Sequence, residues 1–211
     1  MGTFVFLLEG LRLTVWLTLL CGALSLPLGT LVGLARTAPI RALRIAGGAY
    51  VEFLRNIPPL ILLFFFYFGL PPFGIRMTGF ACGLIALTLY TSAFVAEAVR
   101  AGVCAVDRGQ VDAARSLGFG YGGALWNVTL PQAFAMILPA LGNIGIGIIK
   151  NTALVSTIGV ADLMLQGEVL ESRTFATFST FTAVAAIYLV LIVPLSIGVS
   201  ALGRRRDRAK A

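Results

Sequence analysis

The segment Asp107-Arg-Gly-Gln110-Val-Asp112-Ala-Ala-Arg-Ser-Leu-Gly118, followed by Leu130-Pro131-Gln132-Ala133, is a polar island in a very apolar chain. It belongs to a loop over about residues 100–131, longer than a simple connection needs. The loop carries helix signals of its own. Asp107 offers an N-cap, and Gln110, three residues on, completes a variant of the capping box. Val111, Ala114 and Leu117 fall on one face. Gly118 suits a left-handed helix end, and Gly120, Gly122 and Gly123 oppose continuation. The pattern predicts a helix of about two turns, which is marginal alone and needs a neighbour to pack on. Such an element on a membrane face is something for an outside partner to grip.

The flanking sequence supplies the membrane. Of 211 residues, 58% are hydrophobic and only 12% charged, and mean hydropathy is +0.95. Soluble domains average about 25% charged residues. Cutting the chain at its charges leaves apolar runs at 13–35, 57–75, 77–96, 116–149 and 174–203. Each is long enough to cross a bilayer as helix, which takes about 17–25 residues. The runs are continuously apolar and do not alternate, which argues against membrane strands. The expectation is an all-α integral membrane bundle of about five transmembrane helices, with residues 1–211 forming a single domain.

Basic residues set the orientation. Arg36, Arg41, Arg44 and Arg55 follow the first run; Arg100, Arg108 and Arg115 follow the third; Arg204, Arg205, Arg206, Arg208 and Lys210 form the tail. With five spans these regions share one side and hold twelve of the 16 Lys and Arg. The positive-inside rule then places the N-terminus outside and the C-terminus in the cytoplasm. The net charge of +7 is therefore a topology signal. Its dispersal through membrane loops argues against nucleic acid as a partner. Residues 1–10 lack a basic n-region, so a cleavable signal is not expected. Cys21, Cys82 and Cys104 show no metal or redox spacing.

Within this frame, Gly29 and Gly33 are four apart in span one and permit close helix approach, read here as packing inside the subunit. Residues 41–55 are amphipathic, and Asn56-Ile-Pro58-Pro59 interrupts them. Pro71-Pro72-Phe73-Gly74 makes an outer turn. Glu97 and Arg100 are three apart and can pair at the interface. Pro131 suits the first turn of span four, whereas Pro139 lies inside it and should kink it. Gly142, Gly145 and Gly147 add small-residue surface. Asp162, Glu168, Glu171 and Arg173 read as an outer loop before span five. Lys150-Asn151-Thr152 follows span four. A lysine at membrane depth is costly and marks a functional site by default. At the outer headgroups it is an anchor that arginine could replace.

Taken together these segments resemble a known family. Gly109-Gln110-Val-Asp112-Ala113-Ala114-Arg-Ser-Leu117-Gly118, with Leu130-Pro131 downstream, resembles the EAA loop of bacterial ABC-importer membrane subunits. Tyr50-Val-Glu-Phe-Leu-Arg55-Asn-Ile-Pro58, Ala96-Glu97 with Arg100-Ala-Gly102, and Lys150-Asn-Thr152-Ala-Leu-Val-Ser156 are similar to the polar amino-acid uptake branch. The matches cover about residues 10–175. Two positions depart: the leading glutamate of the loop is Asp112, and the usual Lys-(Asp/Asn)-Thr-Ser ends in Ala153.

The resemblance implies a subunit that forms the translocation path for an amino acid and binds no cofactor itself. It implies three protein partners in the bilayer system: a second permease subunit, identical or not, an external solute-binding protein, and an ATPase subunit that holds ATP and magnesium. Gln110, Asp112, Ala113, Ala114, Leu117 and Gly118 would form the coupling helix. Thr88, Thr91, Ser92, Lys150, Asn151 and Thr152 are the candidate substrate-path residues. The sequence agrees in lacking a Gly-x-x-x-x-Gly-Lys-Ser/Thr phosphate loop. A secondary transporter would need an intramembrane acid cluster or an inverted repeat, and neither is visible. An enzyme lacks support, with no histidine and no paired intramembrane acids. Another solute class, such as methionine or an osmolyte, is the alternative within the same architecture.

The topology is testable by labelling. In a background without native cysteine, Gly2→Cys and Ala211→Cys are expected to react from opposite sides of the membrane. Reaction of both from one side would refute the five-span arrangement.

Overall fold

The computed structural model describes residues 3–208, and Lys210 of the basic tail lies outside them. Among the described residues there are helices and no strand. The first helix, α1 (Thr3–Ala35), runs unbroken through Pro27. It is followed by α2 (Arg41–Asn56), α3 (Pro59–Phe64) and the long α4 (Gly79–Cys104). The expected loop contains α5 (Arg108–Ser116) and α6 (Tyr121–Ala124). Then come α7 (Leu130–Asn151), α8 (Leu163–Thr174) and α9 (Thr177–Arg208).

Four stretches are long and apolar enough to span: Val5–Ala35, Gly79–Cys104, Tyr121–Ile158 and Thr177–Ala201. A fifth candidate is a pair of helices bent at a break, which counts as a span only when the two are taken together. Asn56-Ile-Pro58 cannot continue a helix, because Pro58 pushes Ile57 into extended backbone, at φ −95° and ψ 130°. The chain turns by 99° there, between Arg41–Asn56 and Pro59–Phe73. Gly47, Val51 and Leu54 of α2 face inward and Leu43, Ile45 and Phe53 outward. The outer turn forms over Pro71–Phe73, closed by Gly74 at φ +83°.

The helix α4 is the centre. Its window is 56% buried, against 6% for α9, which is peripheral. The core joins Leu17 and Cys21 of α1, Val51 of α2, Leu63 of α3 and Leu87 of α4. The expected glycine pair works inside the subunit. A Cβ on Gly29 would lie 2.5 Å from the Ser92 carbonyl oxygen, and one on Gly33 would lie 2.7 Å from Val99 Cβ. Any side chain at either position would push α1 off α4.

Two expectations need correction. Gly122 and Gly123 do not stop a helix; they lie in α6, which continues through a π turn (Leu125–Thr129) into α7. The glycine stop acts earlier, at Gly118 with φ +90°. The π turn has a cause in Pro131, which has no N–H to donate one turn back, so the preceding turn widens. Pro139, by contrast, lies within α7 without interrupting it.

The second correction concerns residues 162–173, which form the helix α8 rather than a loop. Asp162 is its N-cap, with Oδ1 accepting from the Leu165 N–H at 3.0 Å. Gly167 meets Val184 of α9, and Gly10 of α1 approaches Asp162 and Gln166. Packing of α8 between α1 and α9 buries Asp162 completely, and its Oδ2 has no hydrogen-bond partner. Burial is the main cause that pushes this carboxyl up to about 6, and the nearby Glu168 charge adds to it.

The sign follows from linkage. The unfolded carboxyl ionises near 4 and the folded one near 6, so the folded state holds the proton over that window. Stability from this group is fully present below about 4 and is lost as pH rises through about 6. A shift of that size opposes the ionised form by about 3 kcal/mol. Asn caps as well as Asp. Asp162→Asn should therefore flatten the fall in melting temperature between pH 4 and pH 6 in detergent. An identical slope in variant and parent would refute the account.

Candidate functional site: an exposed helix face and a cavity between two helices

The polar loop folds as its residues dictate. Asp107 Oδ1 accepts from the Gly109 N–H at 2.7 Å and starts α5. The Phe119 N–H reaches back to the Ala114 carbonyl at 3.2 Å around the positive-φ Gly118. The helix rests on α6 and the π turn, which supply the neighbour a two-turn helix needs. Tyr121 O–H donates to the Thr37 carbonyl at 3.1 Å and ties the loop to the end of α1. A cavity of about 710 Å³ lies beneath, between the α1–α2 turn and the loop, with Val103, Val111 and Tyr121 in its walls.

The predicted apolar face of α5 is split. Ala114 is buried against the chain's own bundle, at 4% exposure, while Leu117 is 81% exposed. Gln110, Asp112, Ala113, Leu117 and Gly118 face outward. Ala114 therefore seats the helix, and its neighbours present the surface. Sequence periodicity could not separate the two, because both sides of so short a helix carry small or apolar residues.

Above the loop, Glu97 gathers three arginines. Arg36, just past the end of α1, and Arg100 of α4 donate to its two oxygens, and Arg55 of α2 stands 3.7 Å away. The pairing of Glu97 with Arg100 is the one the spacing predicts. Arg36 and Arg55 join because the α1–α2 turn and the 99° bend bring them to the same level, which no local pattern encodes.

A second cavity of about 270 Å³ opens between α4 and α7. Tyr90, Thr91 and Phe94 come from α4, and Asn143, Gly147 and Asn151 from α7. Of the expected substrate-path residues, Thr91 and Asn151 meet here. The others point elsewhere. Thr88 is buried with an unpartnered hydroxyl. Ser92 donates to the Leu89 carbonyl and accepts from Tyr50 O–H, at 2.7 Å each. Thr152 is buried and donates to the Ile149 carbonyl at 2.6 Å. Lys150 is exposed, whereas its neighbour Ile149 is buried.

Tyr90, Phe94, Asn143 and Gly147 were not anticipated, although a signal existed. Tyr90 and Phe94 are four apart, as are Asn143, Gly147 and Asn151, so each set forms a stripe on one helix face. Their rings pack with centroids 5.0 Å apart. A Cβ on Gly147 would meet nothing within 4 Å, so this glycine keeps the cavity open.

Comparison with known proteins now bears on the arrangement. Residues 25–208 match the family described as binding-protein-dependent transport system inner membrane component. A probable glutamine ABC transporter permease of Bacillus subtilis is 44% identical over 96% of this chain and 94% of its own length. An arginine transport system permease of the same organism is 33% identical, covering 95% and 92%. A crystal structure of an amino acid ABC transporter with histidines superposes with a TM-score of 0.89 at 39% identity, over 96% of this chain and 94% of that one. An inward-facing methionine ABC transporter gives 0.82 at 21% identity, covering 97% and 99%, and supports the fold alone. The expected helical permease architecture is thus observed, in a multi-pass subunit of the inner membrane whose kind implies an ATP-binding partner. The chain belongs to the family of binding-protein-dependent transport system inner membrane components.

Proposed function

We propose that this chain is one half of the translocation path of an ATP-driven amino-acid importer, and that the cavity between α4 and α7 is where the amino acid pauses in transit. The second half is another permease subunit. ATPase subunits, carrying ATP and magnesium, grip the outward face of α5 from the cytoplasm, and a solute-binding protein delivers the amino acid from outside. The N-terminus is outside and the C-terminus cytoplasmic. The glutamine and arginine permeases among the relatives, and the amino acid transporter among the solved structures, support the substrate class.

The observation that carries the reading is the lining of the cavity. Two amides, Asn143 and Asn151, each offer a donor and an acceptor, whereas the Thr91 hydroxyl accepts from Cys21 Sγ at 3.8 Å and leaves the polar contacts to the amides. A carboxylate can accept from the amide N–H groups, and an ammonium can donate to their carbonyls. Tyr90 and Phe94 give an apolar wall for the side chain. At about 270 Å³ the space suits a single small solute, since pockets for larger ligands run from about 300 to 1,000 Å³. No full charge faces the solute, so binding is weak enough to release it. Lys150, exposed beside this stretch, acts as an anchor of α7 at the outer interface.

Two variants test this in the reconstituted complex with its ATPase and solute-binding protein. Gly147→Leu fills the cavity without backbone strain, and it is expected to reduce amino-acid uptake at least tenfold while ATPase subunits still co-purify. Ala113→Trp enlarges the outward face of α5, and it is expected to abolish stimulated ATP hydrolysis with membrane insertion intact. Wild-type uptake in the first variant sinks the cavity assignment. Wild-type stimulation in the second sinks the docking face.

A further inference from the structure

The transit cavity ends at Phe94, whose ring is also a wall of a second cavity of about 350 Å³. Tyr90, Phe94 and Glu97 lie at i, i+4 and i+7 on one face of α4, so the two cavities follow each other along that face toward the cytoplasmic end. The second cavity is lined by Glu52, Arg55 and Asn56 of α2, beside Glu97. Its chemistry differs from the first. Glu97 is already committed, since both its oxygens accept from Arg36 and Arg100. Arg55, 3.7 Å from Glu97, is too far for a hydrogen bond, and its guanidinium lies 5.2 Å from the Phe94 ring centroid. Glu52 enters no ion pair among the described residues. The Asn56 amide donates to the Glu52 main-chain carbonyl at 2.7 Å, which leaves the Glu52 carboxylate free and the Asn56 side-chain oxygen open.

One cation whose hydrogen bonds are unspent and one unpaired anion therefore face a single cavity, separated from the transit cavity by one ring. We infer that this is an exit subsite for a zwitterionic amino acid, with its carboxylate on Arg55 and its ammonium on Glu52, and that the stack of Arg55 on Phe94 is the partition it passes. The inference rests on the amino-acid reading of the transit cavity. A carboxylate arriving at Arg55 gains a charge-assisted, bidentate partner and competes with the ring for the guanidinium, which releases Phe94. Arg55 is 41% exposed, so water screens the pair and the subsite holds its ligand only briefly.

A site on the product side binds product. The test uses proteoliposomes with the solute-binding protein and a mixture of the standard amino acids in the lumen. Supplying ATP only in the bath fuels only complexes whose ATPase faces the bath, so the bath stands for the cytoplasm. Mass spectrometry of the bath identifies the transported amino acid, which is then added to the bath at rising concentration. Wild-type transport should slow as it accumulates. In Arg55→Gln and in Glu52→Gln the bath concentration that halves the rate should rise about tenfold, the equivalent of about 1.4 kcal/mol for one lost charged partner, with the shift confined to the bath side. A wild type indifferent to bath amino acid, or variants slowed at the wild-type concentration, overturns the subsite. A wild type that moves none of the standard amino acids overturns the amino-acid reading itself. Glu52 is exposed and enters no ion pair among the described residues, so its variant keeps the packing and decides the matter even where Arg55→Gln fails to assemble.

Discussion

Inside a bilayer the usual reason for helices to stick together is missing, because lipid tails are as apolar as leucine. The remaining forces are short-ranged and demand close approach of backbones. In this chain that demand is met where α1 lies on α4, at Gly29 and Gly33, with Ser92, Val95 and Val99 filling the space a side chain would take. The same device recurs where Gly102 admits Ile137 between α4 and α7, and where Gly142 admits Val199 between α7 and α9. With α4 held on both sides, its remaining face is free to line cavities. The glycines that pack and the glycine that stays open, Gly147, thus have opposite jobs, and only the neighbours distinguish them.

The polar groups follow from this frame. Charges cluster at one end of α4, where Glu97 draws arginines from the α1–α2 turn, α2 and α4 into one node. Each exposed member contributes little singly. Their value is geometric: the node holds the end of α2 beside α4, and with it where Glu52 and Arg55 stand. At the other end, Asp162 is buried with an oxygen unpartnered, and it secures α8 between α1 and α9. One site is polar because it is wet. The other is polar despite being dry, so it titrates far from its ordinary value.

Much of the fold was legible in the sequence because the relevant signals are local. Apolar runs gave the spans, Asp107 and Gly118 gave the bounds of α5, and Asn56-Ile-Pro58 gave the break after α2. The family motif added the coupling role to a helix already visible. What stayed hidden depends on contacts distant in sequence. Acidic residues 162–171 read as a loop because α8 carries charge on an outer face, and only its burial of Leu163 and Gln166 against other helices makes it a packed element. Ala114 looked like a docking residue because a small side chain serves equally for contact within or between subunits. At the transit cavity, hydroxyls in a run such as Thr88, Thr91 and Ser92 cannot be told apart by type. Helix rotation puts Thr91 at the cavity edge with its hydroxyl on Cys21, turns Ser92 to Tyr50 and sends Thr88 into the core.

The way motion would travel between the two ends is set by stiffness. The helix α5 rests on the π turn at Leu125–Thr129, and that turn is continuous with α7. A π turn is the softest point of such a helix, because its hydrogen bonds are misaligned and Pro131 removes one more. Beyond it α7 is a single rod to Asn151, pinned to α4 at Gly102 and to α9 at Gly142. In the proposed cycle a push on α5 bends the base of α7 and pivots the rest about those two contacts. Asn143, Gly147 and Asn151 lie beyond the pivots, on the moving arm, whereas Thr91 and Phe94 sit on the fixed α4. The cavity wall that carries both amides is thus the one that moves, and the wall that carries Phe94 is the one that stays. In the proposed cycle the solute's polar contacts are withdrawn from it while the barrier toward the arginine node keeps its place, until Arg55 is drawn off the ring.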